Sequence, residues 1–117
     1  MAYTLLIVED PHQRDTRTPA EGRAAYDSMV QFAAQLKARG LLLATQSLTS
    51  HAAAARVQVR DGQSQVLDGP FTEAKEMVGG FFLLDCQTRA QAIAIAAECP
   101  AAQWCTVEVR EVGPCFA

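Results

Sequence analysis

A chain of 117 residues, half of them apolar and a fifth charged, has the composition of an ordinary globular protein and the length of one domain, residues 1–117. Its formal net charge of −3 argues against non-specific nucleic-acid binding, which needs a basic face, and against attraction to an anionic membrane surface. Cys86, Cys99, Cys105 and Cys115 stand at long, irregular gaps with no Cys-x-x-Cys and no neighbouring histidine, so they read as small apolar thiols rather than metal ligands.

Tyr3 to Val8 is rich in aliphatic residues and reads as a buried first strand, ended by Asp10-Pro11. Its apolar run, Leu5 to Val8, is too short for a signal-peptide core, and no stretch approaches the ~20 apolar residues that span a bilayer. The expected location is therefore the cytoplasm, where thiols stay reduced. His12 to Arg17 is polar and reads as a loop.

Thr18-Pro19-Ala20-Glu21 is a capping box with proline in the first turn, and it predicts a helix over about 19–39. Ala25, Met29, Phe32, Ala33 and Leu36 form its apolar stripe. Lys37 and Arg39 suit the negative helix end, and Gly40 suits the stop. Leu41-Leu42-Leu43 opens a second strand, which Gln46 and Ser47 follow. Arg56 to Arg60 alternates with period two, Asp61-Gly62 is a two-residue hairpin turn, and Gln63 to Leu67 returns, with Val57 opposite Val66 and Val59 opposite Ser64.

Asp68-Gly69-Pro70-Phe71 is a turn by composition. Thr72 to Val78 suits about two helical turns, with Gly79-Gly80 as their stop, and Phe81 to Asp85 reads as a buried strand. A second capping box, Thr88-x-x-Gln91, opens a helix that ends near Glu98 before Pro100. This helix is apolar nearly all round, which predicts cover on more than one side. Cys105 to Val112 alternates, with Val107 and Val109 on one face and Glu108 and Arg110 on the other.

The order strand, long helix, strand, inserted hairpin, strand, helix, strand predicts an α+β, ferredoxin-like fold: a four-stranded antiparallel sheet with both helices on one face. The strands carry apolar residues on both sides, so the open sheet face needs cover. A homodimer joined through that face supplies it and would bury on the order of 800 Å² per partner.

Asp68-Gly69-Pro70-Phe71-x-Glu73-x-Lys75-Glu76-x-x-Gly79-Gly80-Phe81 resembles the signature of the DGPF branch of the YCII-related domain family. Tyr3 to Ile7, the hairpin at Val57 to Gly62 and the ending Val107 to Arg110 fall where that family has them, so the likeness covers nearly the whole chain. It implies a dimeric α+β barrel. It implies kinship with lactone isomerases, a dehydrochlorinase and monooxygenases that use no conventional cofactor. It also implies a link of some members to extracytoplasmic-function sigma factors. The chain departs from the family where a histidine near the start of the long helix would join a His–Asp pair: here Pro19-Ala20-Glu21-Gly22 stands instead. The last strand also reads Arg110-Glu111-Val112, where many relatives have Arg-Pro-Val.

The signature's polar residues give the catalytic candidates Asp68, Lys75 and Glu76, with Glu73 as a ligand contact. The competing reading is a braced turn followed by a solvated face. Arg110 can clamp a carboxylate or pair across the sheet, and Gln46 is a further ligand candidate. His12 and His51 fall in predicted loops without a partner in sequence, and Tyr26 and Trp104 read as core or interface aromatics. Two functions follow. One is an enzyme that moves a proton on a small organic molecule without cofactor or metal. The other is a non-catalytic small-molecule-binding or regulatory module, with a sigma factor as a conceivable partner.

Overall fold

Strict alternation sets the first strand. In the computed structural model, which describes residues 2–116, β1 (Ala2–Glu9) buries Tyr3, Leu5, Ile7 and Glu9 and half-covers Thr4, Leu6 and Val8. The buried phase thus runs one step beyond the aliphatic residues and carries a carboxylate inward. β1 lies at the centre of the sheet. It pairs antiparallel with β5 (Met77–Asp85) on one side and with β6 (Thr106–Glu111) on the other. β2 (Leu42–Ser47) pairs with the far edge of β5, so the strand order is β2-β5-β1-β6. This is the ferredoxin-like arrangement expected from the order of elements.

Both helices pack on the Tyr3–Leu5–Ile7 face. α1 (Pro19–Ala38) begins at the expected capping box: the Thr18 hydroxyl accepts from the Glu21 N–H at 3.1 Å, and the Glu21 carboxylate accepts from the Thr18 N–H at 2.9 Å. Those bonds from Thr18 hold the Glu21 carboxyl below its ordinary value. Of the stripe, Phe32 and Leu36 are buried, and Met29 and Ala33 pack against the core. Phe32 meets Phe82 of β5 edge to face, 5.2 Å between centroids. α2 (Arg89–Glu98) starts at Thr88, whose hydroxyl accepts from the Gln91 N–H. The Gln91 side chain reaches back to the N–H of Gln87 instead of Thr88, so the second box closes one residue early.

Four expectations are corrected. α2 is covered on one side only: Ala92, Ile95 and Ala96 are buried, while Ile93 is 42% exposed. Ala90, Ala94 and Ala97 share the rest of its outer surface with Arg89 and Glu98, and exposed alanines cost little. No helix forms over Thr72 to Val78. Met77 and Val78 pair with Glu9 and Val8 of β1, and the few remaining residues are too short to nucleate a helix against that pairing. Gly79 and Gly80 lie within β5 rather than stopping a helix. Gln46 and Ser47 likewise belong to β2 rather than following it.

β3 (Ala55–Arg60) and β4 (Gln63–Asp68) make a separate two-stranded sheet with the predicted register, Val57 opposite Val66 and Val59 opposite Ser64. Asp61 and Gly62, both at positive φ, form its turn. Every residue of this hairpin is exposed, including Val57 at 64% and Val66 at 63%. The described part of the chain is flat, 46 × 42 × 19 Å, with a radius of gyration of 16.0 Å. A compact chain of this length would measure about 13 Å.

Candidate functional site

A cleft of about 510 Å³ opens between the stretch of α1 from Gly22 to Ala33 and the end of the sheet where β1 finishes and β2 and β5 come together. This volume falls within the ~300–1,000 Å³ usual for small-molecule sites. Ala25, Tyr26, Met29, Val30 and Ala33 of α1 give one wall; Thr45 to Leu48 with Gly79 to Phe82 give the other. Trp104 closes the end.

Among the described residues the cleft's one carboxylate is Glu9, which is only 7% exposed. A buried carboxylate is stable only when paired. The 3-10 turn Gln13–Thr16 supplies the partner, because Arg14 donates from Nε to Glu9 Oε1 at 2.5 Å and from Nη1 to the Leu48 carbonyl at 2.9 Å. The same turn is tied down by Gln13, whose side-chain amide donates to the Trp104 carbonyl at 2.6 Å. Gly79 makes room for the pair: a Cβ there would stand 2.5 Å from Glu9 Oε2 and 2.8 Å from Arg14 Nη2. The register slip in β5 opposite Ile7 and Val8 falls at this glycine. Arg14→Ala leaves Glu9 buried without its cation. Its expected cost is about 2 kcal/mol by chemical denaturation, below the 3–5 of a fully buried pair because Arg14 is one-third exposed. Glu9→Leu combined with Arg14→Met is expected to recover most of that loss.

The signature Asp68 to Phe71 closes the base of the hairpin. Asp68 pairs with Ala55 in the ladder, and the Gly69 N–H donates to the Ala54 carbonyl at 2.7 Å. A side chain on Gly69 would collide with the backbone carbonyl of His51. Phe71 is buried, with the His51 ring edge-on at 5.7 Å and the Arg56 guanidinium 3.9 Å over its face. Its N–H points at His51 Nδ1 at 3.4 Å. His51 is therefore a structural neighbour of the signature.

The sequence-derived candidates are not brought together. Asp68, Glu73, Lys75 and Glu76 are all exposed and line no part of the cleft. Lys75 and Glu76 border a second, more open groove on the far side of β1's end, where Glu9, Asp10, His12 and Cys105 also lie. The helical face that would have grouped Glu73 with Glu76 does not form. Arg110 is 69% exposed on the open sheet face, with its Nε 4.0 Å from Glu108. Gln46 is the candidate that lines the cleft. Glu9, Arg14 and Arg17 were missed. The readable signal was Glu9 itself, a charge in the buried phase of an alternating strand. Arg14 and Arg17 sit in a segment whose polar composition gave no face.

Burial, then the neighbouring Glu9, pushes the Cys105 thiol up to about 11; burial also raises Cys99 and Cys86. These thiols are poor nucleophiles near neutral pH. Exposed Cys115 is expected to take up iodoacetamide first at pH 8, followed by mass spectrometry, with the other three protected until unfolding. A thiol that titrates near 9.0 unfolded and near 11 folded contributes stability below pH 9. That contribution is lost as the pH rises from 9 to 11. Among the described residues no group of three or more His, Cys, Asp or Glu is placed to hold a metal ion, and no helix is long and apolar enough to cross a membrane.

The fold and cleft define a ferredoxin-like α+β protein with a small-molecule-sized cavity between its long helix and its sheet. The YCII-related domain family matches residues 1–115, and the chain belongs to that family. It is also similar to an uncharacterized protein of Rhizobium meliloti (strain 1021), 28% identical over 96 residues, which cover 82% of this chain and 77% of the relative.

Proposed function

We propose that the protein binds a small organic molecule in the α1–sheet cleft and that Glu9 moves a proton on it. One observation carries this reading: a buried carboxylate, fixed by Arg14, at an otherwise largely apolar cavity. A carboxylate held in one rotamer and shielded from bulk water is suited to general acid–base work. This reading moves the proton transfer from Asp68, Lys75 and Glu76 to Glu9. The DGPF signature keeps a structural role at the hairpin base.

The test is a thermal-shift screen of small lactones, phenols and ring carboxylates, followed by NMR of each hit in heavy water. A ligand at 100 times its dissociation constant raises stability by about 2.7 kcal/mol. Hits abolished by Ala25→Trp, which fills the cleft, and unaffected by Asp68→Asn support the reading. Hits indifferent to Ala25→Trp sink it.

The working unit in this reading is a homodimer closed over the open sheet face. Leu6, Val8, Phe81 and Leu83 stand half-covered there, Val78 is 43% exposed, and the valine face of the hairpin has nothing against it among the described residues. The excess radius of gyration has the same origin, an arm extended from a two-layer body. Leu6→Glu is expected to shift the mass seen by light scattering from twice the 12.6 kDa chain mass to that mass itself. A wild-type chain that runs as a monomer at 100 μM would remove the dimer.

A further inference from the structure

Arg17 is the cleft's unspent charge. Of the described residues lining the cavity only Glu9, Arg14 and Arg17 are charged, and Glu9 and Arg14 neutralise each other. Arg17 makes no ion pair with any described residue. The acid that follows it in sequence, Glu21, accepts from the Thr18 N–H and lies near enough to feel the Arg17 charge without forming an ion pair with it. Its guanidinium is held instead over the indole of Trp104, 5.5 Å from the ring centroid. The cavity therefore carries one net positive charge in a chain whose formal charge is −3.

An arginine so placed has a clear chemical preference. Its planar fork matches a carboxylate in a bidentate fashion, and stacking on an aromatic face limits the rotamer entropy lost on binding. The cleft it lines offers flat or soft surfaces: the Trp104 indole beneath it, the Tyr26 ring, 56% exposed, and the Met29 thioether. Polar body groups would be stranded against them, whereas an aromatic or alicyclic ring would not.

Resting on the cleft reading above, we propose that the ligand is a ring-bearing monocarboxylic acid, with its carboxylate on Arg17 and its ring against Trp104 and Met29. Arg17 sets the charge class of ligand. Glu9, the acid–base group, is a separate residue on a separate element, so the two roles come apart experimentally.

The test is calorimetric titration of the full chain with benzoate, with cyclohexanecarboxylate and with neutral, near-isosteric benzamide. Both carboxylates are expected to bind at least 10-fold more tightly than benzamide. Arg17→Gln is expected to lower benzoate to the level of benzamide while leaving benzamide unchanged. Arg17→Lys, which keeps the charge and loses the fork, is expected to restore part of the difference. A merely structural Arg17 would weaken all three probes together, and unchanged unfolding midpoints check that the variants fold. Equal binding of benzoate and benzamide by the wild type overturns the carboxylate assignment and leaves the cleft reading standing. Absence of binding by all three at 10 mM overturns the assignment, and hits from the screen that respond to Ala25→Trp would then show that the cleft takes another class.

Discussion

Glu9→Gln is expected to slow proton exchange on a bound ligand by at least about 100-fold, the low end of what a positioned acid–base group contributes, while changing its affinity only a few-fold. Glutamine keeps the shape of the side chain and can still accept from Arg14 Nε, so the cleft wall survives. What it loses is the capacity to take up and return a proton. The measurement is the rate of loss of the ligand's acidic C–H signal in heavy water, read beside a binding isotherm for the same ligand. Glutamine at position 9 with the wild-type exchange rate would place the chemistry elsewhere. Lys75 and Glu76, which share the adjoining groove with Glu9, would be tested next.

Gly69→Ala is expected to have the largest effect on stability, about 3 kcal/mol, or a fall of roughly 10 °C in melting temperature for a chain of this length. The added methyl meets the His51 carbonyl, a backbone atom that cannot rotate away, and the displacement also strains the Gly69 N–H bond to Ala54. Asp68→Ala, at an exposed position without a side-chain hydrogen bond, should stay within about 0.5 kcal/mol of the wild type. The contrast separates the two readings of the signature. If Asp68→Ala abolished function at unchanged stability, and Gly69→Ala were tolerated, the signature would be a site rather than a hinge of the fold.

The two expectations differ because the two features are held by different means. Glu9 is fixed by one ion pair beside a glycine, at the wall of a cavity of small-molecule size. Phe71 is fixed by His51, Arg56 and the hairpin base, and it packs apart from the main core. One arrangement sets a carboxylate at the wall of a cavity; the other holds a chain crossing in place.

Local stereochemistry explains which elements were legible. The capping box at Thr18 and Glu21 is a pair of bonds within four residues, so the sequence alone specifies it. The Asp61-Gly62 turn sets the hairpin register for the same reason: its two residues tolerate positive φ, and the pairing of Val57 with Val66 follows from the turn length. Alternation in β1 and β6 assigned Val107 and Val109 to one face and Glu108 and Arg110 to the other. Capping was legible at α2 only in part, since Gln91 has two N–H groups within reach and bonds that of Gln87.

The sequence by itself determined the order of elements and the apolar stripe of α1, because each rests on patterns among residues a few positions apart; the ferredoxin-like layering followed from that order through the rules of strand connection. Tertiary structure decided the rest. Thr72 to Val78 has residues acceptable to a helix, yet Met77 and Val78 go to β1, because a ladder beside a central strand outweighs two isolated helical turns. Gly79 reads as a breaker in one dimension and proves to be the space in which Glu9 and Arg14 meet. The cleft is built from α1, the 3-10 turn, β2, β5 and Trp104, segments up to 91 residues apart along the chain, as the bond from Gln13 to the Trp104 carbonyl shows. No local pattern encodes such a meeting: the charges that form it become neighbours only after the core has brought their backbones together.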